Sequence, residues 1–159
     1  MRLQVMAVGR LRDGPERDLC ERYATRIHDS GKALGFSGPD IVEASESRAR
    51  RPEDRKAEEA AAIRPKLPAG LLIALDERGK SMGSTDFAQR LAQERDAGTS
   101  HASFLIGGAD GLHRSLRDHC SLALSFGSLT LPHQLVRVLV LEQIYRALTI
   151  LSGHPYHRV

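Results

Sequence analysis

An α/β domain with a mainly parallel sheet and helices on both faces is the fold class this sequence predicts. Three observations predict it. Short apolar runs of strand length alternate with amphipathic stretches of helix length along the whole chain. Glycines close several of the apolar runs and gather in the later loops. The last long segment is apolar over most of its circumference, as a helix packed on several sides is. At 159 residues and 41% apolar, the chain suits one domain with an ordinary core. No internal repeat, low-complexity tract or linker divides it.

The elements follow in order. "LQVMAVG" (3–9) is a short apolar run closed by glycine, a strand. Residues 15–31 start at Pro15 and end at Gly31, with Leu19, Tyr23 and Ile27 recurring every fourth residue, an amphipathic helix. "DIVEAS" (40–45) reads as a strand. Residues 52–66 open at Pro52 and carry "EDRKAEEAAAIR", a strong helix composition with a solvated charged face. "GLLIALD" (70–76) is a buried strand. Residues 84–98 begin with a Ser/Thr/Asp cap and stop at Gly98, another helix. "HASFLIGG" (101–108) is a strand entering a glycine loop, residues 112–119 a short helix, and "SLALSFG" (121–127) the last strand. Residues 132–152 form a long helix with Pro132 in its first turn.

Ligands of such sheets bind beyond the carboxyl ends of the strands. Three loops stand there: "DERGKS" after residue 75, "GGADG" after residue 106 and "FGSLTLPH" after residue 125. "GGADG" alone reads equally as a tight turn. The first strand is followed by "GRLRDG", without the G-x-G-x-x-G that opens a dinucleotide-binding fold. No G-x-x-x-x-G-K-[ST] loop or nucleophile elbow marks a nucleotide hydrolase. A charge of +3, from 23 Lys+Arg and 20 Asp+Glu, permits an anionic partner without demanding one. No apolar run spans a bilayer, no secretion signal is evident, and Cys20 and Cys120 form no C-x-x-C pair. A cytoplasmic protein with reduced thiols is the expectation.

In the last helix Glu142, Arg146 and Thr149 share one stripe among Leu, Val and Ile. A terminal helix this apolar points to a partner subunit, with Leu139 and Ile144 expected in the interface. Arg137 lies on the face of Val140, Leu141, Ile144 and Leu148. It needs an anion, either a ligand or a carboxylate such as Glu142 of another copy. The chain ends in "SGHPYHRV", two histidines, a tyrosine and an arginine on a segment that would fray unless held. Residues 132–159 carry three Arg and a single Glu, a basic surface suited to phosphate. Taken singly, each histidine there reads more readily as a loop or cap residue than as a functional one. No metal is expected: Pro155 breaks the spacing of His154 and His157, and no third ligand is evident.

"LLIALDERGK", "FLIGGADGL", "LTLPHQLVRVLVLEQIYRA" and the terminal "HPYHR", in that order, closely resemble the ribosomal large-subunit pseudouridine N3-methyltransferase family of the SPOUT class. The resemblance covers the whole chain, and residues 31–66 match in general character only. It implies a single domain with a C-terminal trefoil knot over roughly residues 70–159, a knot being an exception to ordinary topology. It also implies a homodimer that acts on 23S ribosomal RNA; with no separate RNA-binding domain evident, the assembled ribosome is expected to help present the target. S-adenosylmethionine is then expected against Leu75, Gly107, Gly108, Phe126, Gly127, Ser128, Leu129, Thr130 and Leu131. Phe126 stands where a smaller aliphatic residue is usual, and "GGADG" replaces "GGPEG" while keeping an acid as Asp110. A valine at Gly107 or Gly108 is expected to block the cofactor and leave the fold intact.

The implied reaction methylates N3 of a pseudouridine, a nitrogen that becomes a good nucleophile once its proton is lost. A proton acceptor, a stabiliser of the imide anion and in-line positioning all help. His133, Arg137, His154, Tyr156, His157 and Arg158 supply suitable groups. His157 and Arg158 are expected on substrate, with Tyr156 positioning the tail over the partner's cofactor. The alternative is a non-catalytic RNA- or ribosome-binding module of the same fold.

Overall fold

A computed structural model describes residues 1–157. Strands β1 (Arg2–Val8), β2 (Ser37–Ala44), β3 (Leu71–Ser81), β4 (His101–Ile106) and β5 (Leu122–Ser125) form one sheet in the order β2-β1-β4-β3-β5. Every neighbouring pair is parallel, so all five carboxyl ends meet at one edge. The helices are α1 (Pro15–Gly31), α2 (Pro52–Ile63), α3 (Ser84–Asp96), α4 (Arg114–Arg117) and α5 (His133–Ser152).

Strand alternation divides the core in two. Leu3, Val5 and Ala7 point with Ile73 and Phe104 towards Ile27 of α1, Phe87 and Leu91 of α3, and Val140, Leu141, Ile144 and Leu148 of α5. Met6 and Val8 point the other way with Ala74 and Leu105, against Ala60 and Ile63 of α2 and Leu116 of α4. Helices therefore cover both faces, as the alternating pattern requires. Ile144, expected in a subunit interface, is wholly buried in its own chain and belongs to this core.

Three local details differ from the sequence expectations. The "DERGKS" stretch is not a loop beyond β3. Residues 76–79 bulge out, and Lys80 and Ser81 return to pair with Leu124 and Ser125 of β5. Gly79 permits this, because a Cβ there would sit 2.6 Å from the Ala123 carbonyl oxygen. Helix α1 ends at Gly31 as expected, and a separate tight turn over Lys32–Leu34 follows it, closed by Gly35 at φ 76°. Helix α2 ends earlier than expected, at Ile63, and Arg64–Lys66 form a separate tight turn. Ser84 does not cap α3; its hydroxyl donates to Oε1 of Gln143 at 2.8 Å and ties α3 to α5.

Candidate active site

The carboxyl ends of β4, β3 and β5 open on a cleft of about 360 Å³. The loop after β4 forms its floor. Gly107 has no room for a side chain, since a Cβ would lie 2.6 Å from the Leu112 backbone nitrogen and nearer still to the Gly111 carbonyl carbon. Gly111, at φ 80°, turns the chain back and donates its N–H to the Gly108 carbonyl at 3.0 Å. "GGADG" is therefore both a tight turn and the cleft floor.

The loop after β5 forms the opposite side. The Ser125 hydroxyl donates towards the Glu77 and Gly127 carbonyls at 3.1 and 2.9 Å and accepts from the Gly127 N–H at 3.1 Å. Thr130 donates to Glu77 Oε2 at 2.8 Å, joining this loop to the β3 bulge. Leu75, Leu124, Phe126 and Leu131 give the cleft apolar surface, and His133 and Val136 at the start of α5 close one end. Leu129 is 76% exposed at the rim.

Eight of the nine residues expected around a cofactor line this one cleft: Leu75, Gly107, Gly108, Phe126, Gly127, Leu129, Thr130 and Leu131. Ser128 does not; it is exposed and outside the lining. Sequence reasoning missed Lys56, Asp76, Glu77, Arg78 and Arg117 in the lining. The bulge residues lie in a stretch singled out in the sequence, but Leu75 alone was assigned. Lys56 and Arg117 carry no local signal, because α2 and α4 bring them in from the opposite side of the sheet.

Two ion pairs brace the rim. Arg117 reaches Asp76 at 3.2 Å, and Arg55 holds Asp110 through Nε at 2.7 Å and Nη2 at 3.1 Å. The hydrogen bond from Arg55 lowers the Asp110 carboxyl below its usual range. The sign is that of a depressed carboxylate: the clasp is fully present above the unfolded carboxylate range and is lost only as pH falls through the lowered folded value.

The expected catalytic residues do not gather in one chain. His133 lines the cleft. Arg137 does not. Its guanidinium is 2% exposed and bonds Glu43 Oε1 at 2.6 Å, the Val8 carbonyl at 2.9 Å and the Gly9 carbonyl at 2.5 Å. Both sequence readings of Arg137 are thereby corrected. It faces neither a ligand nor a second copy but clamps β1, β2 and α5 together. Glu142 is likewise taken within its own helix, by Arg146 Nη2 at 2.6 Å.

Tyr156 docks against the middle of α5. Its ring meets that of Tyr145 edge-on at 4.8 Å, and its hydroxyl lies 3.2 Å from Glu142 Oε1 and 3.3 Å from the Tyr23 hydroxyl. Burial first, then Tyr23 and Glu142, push its phenol above the usual range, so it serves as a neutral donor. At 1.5 Å per residue, Tyr145 is roughly 18 Å along the helix from His133. His154 turns back to accept from the Tyr156 N–H at 3.1 Å. His157 has its Nδ1 buried without a hydrogen-bond partner among the described residues. Arg158 lies outside the described residues.

No group of three or more His, Cys, Asp or Glu among the described residues is arranged to hold a metal. No helix there is long and apolar enough to cross a membrane. Cys20 and Cys120 are both free, and burial raises each thiol to about 11.

Residues 1–157 match a family described as "Predicted SPOUT methyltransferase". The chain is 57% identical over 159 residues to "Ribosomal RNA large subunit methyltransferase H" of Rhodopseudomonas palustris strain BisB18, covering 99% of both chains. It is 56% identical, with the same coverage, to the protein of that name from Xanthobacter autotrophicus. Among solved structures it resembles a probable methyltransferase from Bordetella pertussis, with a TM-score of 0.52 at 15% identity over 92% of this chain and 95% of that one. A probable methylase family protein from Haemophilus influenzae gives the same TM-score at 12% identity, over 99% of this chain and 70% of that one. At such identities these two likenesses concern the fold alone.

Proposed function

The chain belongs to the SPOUT methyltransferase family, and we propose that it methylates N3 of a pseudouridine in large-subunit ribosomal RNA, using S-adenosylmethionine. The observation that carries this reading is the convergence of the β3 bulge and the loops after β4 and β5 on one cleft with a glycine floor and an apolar wall. A cofactor with an adenine ring and a charged methionyl end suits that mixture. Leu75, Leu124 and Phe126 offer faces for the ring, and Gly107 and Gly108 allow close backbone approach. The cofactor supplies a methyl group on a positively charged sulfur, a leaving group already activated.

The chain's own residues have the remaining work. The amino end of α5 carries partial positive charge beside His133, which favours the imide anion left when N3 loses its proton. Imidazole is a suitable acceptor for that proton. Arg78 adds positive charge to the rim, where Lys56 and Arg117 are paired with Glu53 and Asp76.

The protein works as a homodimer through the outward face of α5. Leu135 is 42% exposed, and Val138 and Leu139 are half-buried on the same side. The separation of His133 from Tyr156 within one chain supports a composite site. The tail of one subunit, held by Tyr156, brings His157 and Arg158 over the partner's cleft. The reading carries with it the family's single knotted domain, with the knot within residues 70–159, and a cytoplasmic setting on the ribosome.

Incubation with labelled S-adenosylmethionine and ribosomes lacking the modification tests the activity. Label at N3 of one pseudouridine is expected; cofactor binding without transfer would leave a binding module instead. Leu139→Asp places a charge on the proposed interface but outside the buried core. It is expected to give a folded monomer at micromolar concentration by sedimentation, with activity lost. A dimer that persists would move the interface elsewhere.

A further inference from the structure

The cleft occupies only half of the sheet's carboxyl edge. The other half, at the ends of β1 and β2, carries five exposed arginines: Arg10 and Arg12 in the loop after β1, and Arg48, Arg50 and Arg51 in the loop after β2. None of their side chains is in an ion pair or a hydrogen bond among the described residues. The nearby acids are largely engaged elsewhere: Asp13 by Arg17, Glu53 by Lys56, and Glu58 by the Ser47 hydroxyl. Glu16 and Asp18 at the start of α1, with Glu46 and Asp54, remain against the five arginines.

Both loops are fixed from beneath. Glu43 of β2 accepts from the Leu11 N–H at 2.8 Å and from Arg137 at 2.6 Å, and Arg137 also holds the Val8 and Gly9 carbonyls. This secures the base of the Arg10–Arg12 loop. In the second loop, Arg55 donates to the Ala49 and Arg50 carbonyls at 3.1 and 2.9 Å, while Ser47 N–H bonds Glu59 Oε1 at 3.0 Å. The same Arg55 holds Asp110 in the cleft floor. Unpaired arginines on a solvated tip would need no such framework. Arginines kept apart from carboxylates on a braced backbone are suited to phosphate, which guanidinium binds through paired hydrogen bonds.

We propose that this arginine edge is a docking surface for the ribosomal RNA backbone, alongside the cleft and braced to it through Arg55 and Asp110. The proposal rests on the methyltransferase reading and assigns its substrate a place to bind. Contacts to phosphate position a nucleic acid without reading its sequence. The surface therefore sets affinity and register, while the cleft selects the base.

Arg48→Glu/Arg50→Glu/Arg51→Glu tests it, with Lys32→Glu/Lys66→Glu, exposed at the opposite edge of the sheet, as the control. Binding to isolated large-subunit ribosomal RNA is measured across salt concentrations, and methylation of unmodified ribosomes is measured as KM and kcat. For the triple variant we expect at least roughly tenfold weaker RNA binding and a log–log salt slope shallower by about 0.7–0.9 for each phosphate no longer neutralised. KM should rise with kcat largely kept, and calorimetric affinity for S-adenosylmethionine should match the wild type. The control should stay near wild type. An unchanged salt slope and KM in the triple variant would overturn the proposal. So would wild-type binding to isolated RNA with weakened binding to ribosomes, which would assign the surface to a ribosomal protein. Failure of the wild-type protein to methylate would count against the activity, whereas the salt slope judges the surface separately.

Discussion

Replacing Gly107 with valine is expected to eliminate S-adenosylmethionine binding and to destabilise the domain as well. A Cβ at that position meets backbone, with Leu112 N at 2.6 Å, not a side chain that can rotate away. The 107–112 turn must open to admit it, and that turn is the cleft floor. Overpacking of this kind costs about 1–3 kcal/mol, and for a chain of this size each kcal/mol lowers Tm by about 2–4 °C. The sequence expectation of a blocked cleft in an intact fold is thus revised for Gly107. It suits Gly108 better, where a Cβ would meet side chains, Val8 Cγ1 at 3.1 Å and the Glu59 carboxylate at 3.4 Å, and no backbone atom among its nearest neighbours. Gly108→Ala should keep its Tm within a few degrees. Calorimetric titration and thermal melts check both variants; a Gly107→Val protein with wild-type affinity would place the cofactor elsewhere.

Arg137→Met is expected to be the most destabilising single change outside the apolar core. It leaves the Val8 and Gly9 carbonyls without this donor and Glu43 without its cation. Breaking a buried pair by removing one partner costs about 3–5 kcal/mol. Glu43 retains 31% side-chain exposure, so the lower end applies, roughly 3 kcal/mol. A fall in Tm of about 6–12 °C should follow. Glu43→Gln keeps an acceptor for Arg137 and Leu11 and should cost less. An Arg137→Met variant that melts like the wild type but fails in catalysis would return Arg137 to the substrate.

The fold was legible where one element's own residues determine it. Tyr23 and Ile27 placed α1 correctly, and the run from Leu3 to Val8 placed β1, because helical and strand periods are local properties. The β3 bulge was not legible. Asp76, Glu77 and Arg78 look like any polar loop, and only the close passage of Ala123 beside Gly79 reveals that the strand resumes. The cofactor loops were legible through their glycines and the family resemblance. Their charged rim was not, since Lys56 and Arg117 arrive from helices with no motif of their own. Arg137 was visible as a lone charge in an apolar stripe, but its partner Glu43 lies 94 residues away in sequence, and no spacing rule joins them. The composition of the tail predicts a held segment, and Tyr156 is held by Tyr145, Tyr23 and Glu142 of its own chain. What His157 and Arg158 face is the proposal that remains for experiment.

Subunit mixing tests the composite site most directly. One chain carries Gly127→Val; Gly127 has φ 126° with open space around it, so valine disturbs the cleft loop without jamming the core. The other chain lacks residues 154–159, and so lacks the tail but keeps its cleft. Each homodimer alone should be inactive in methyl transfer. After exchange of subunits, a heterodimer has one cleft served by an intact tail, and an equal mixture should recover about a quarter of wild-type activity, as two-fold symmetry requires. Full activity in the truncated homodimer, or none in a mixture shown to contain heterodimers, would contradict a site shared between two chains.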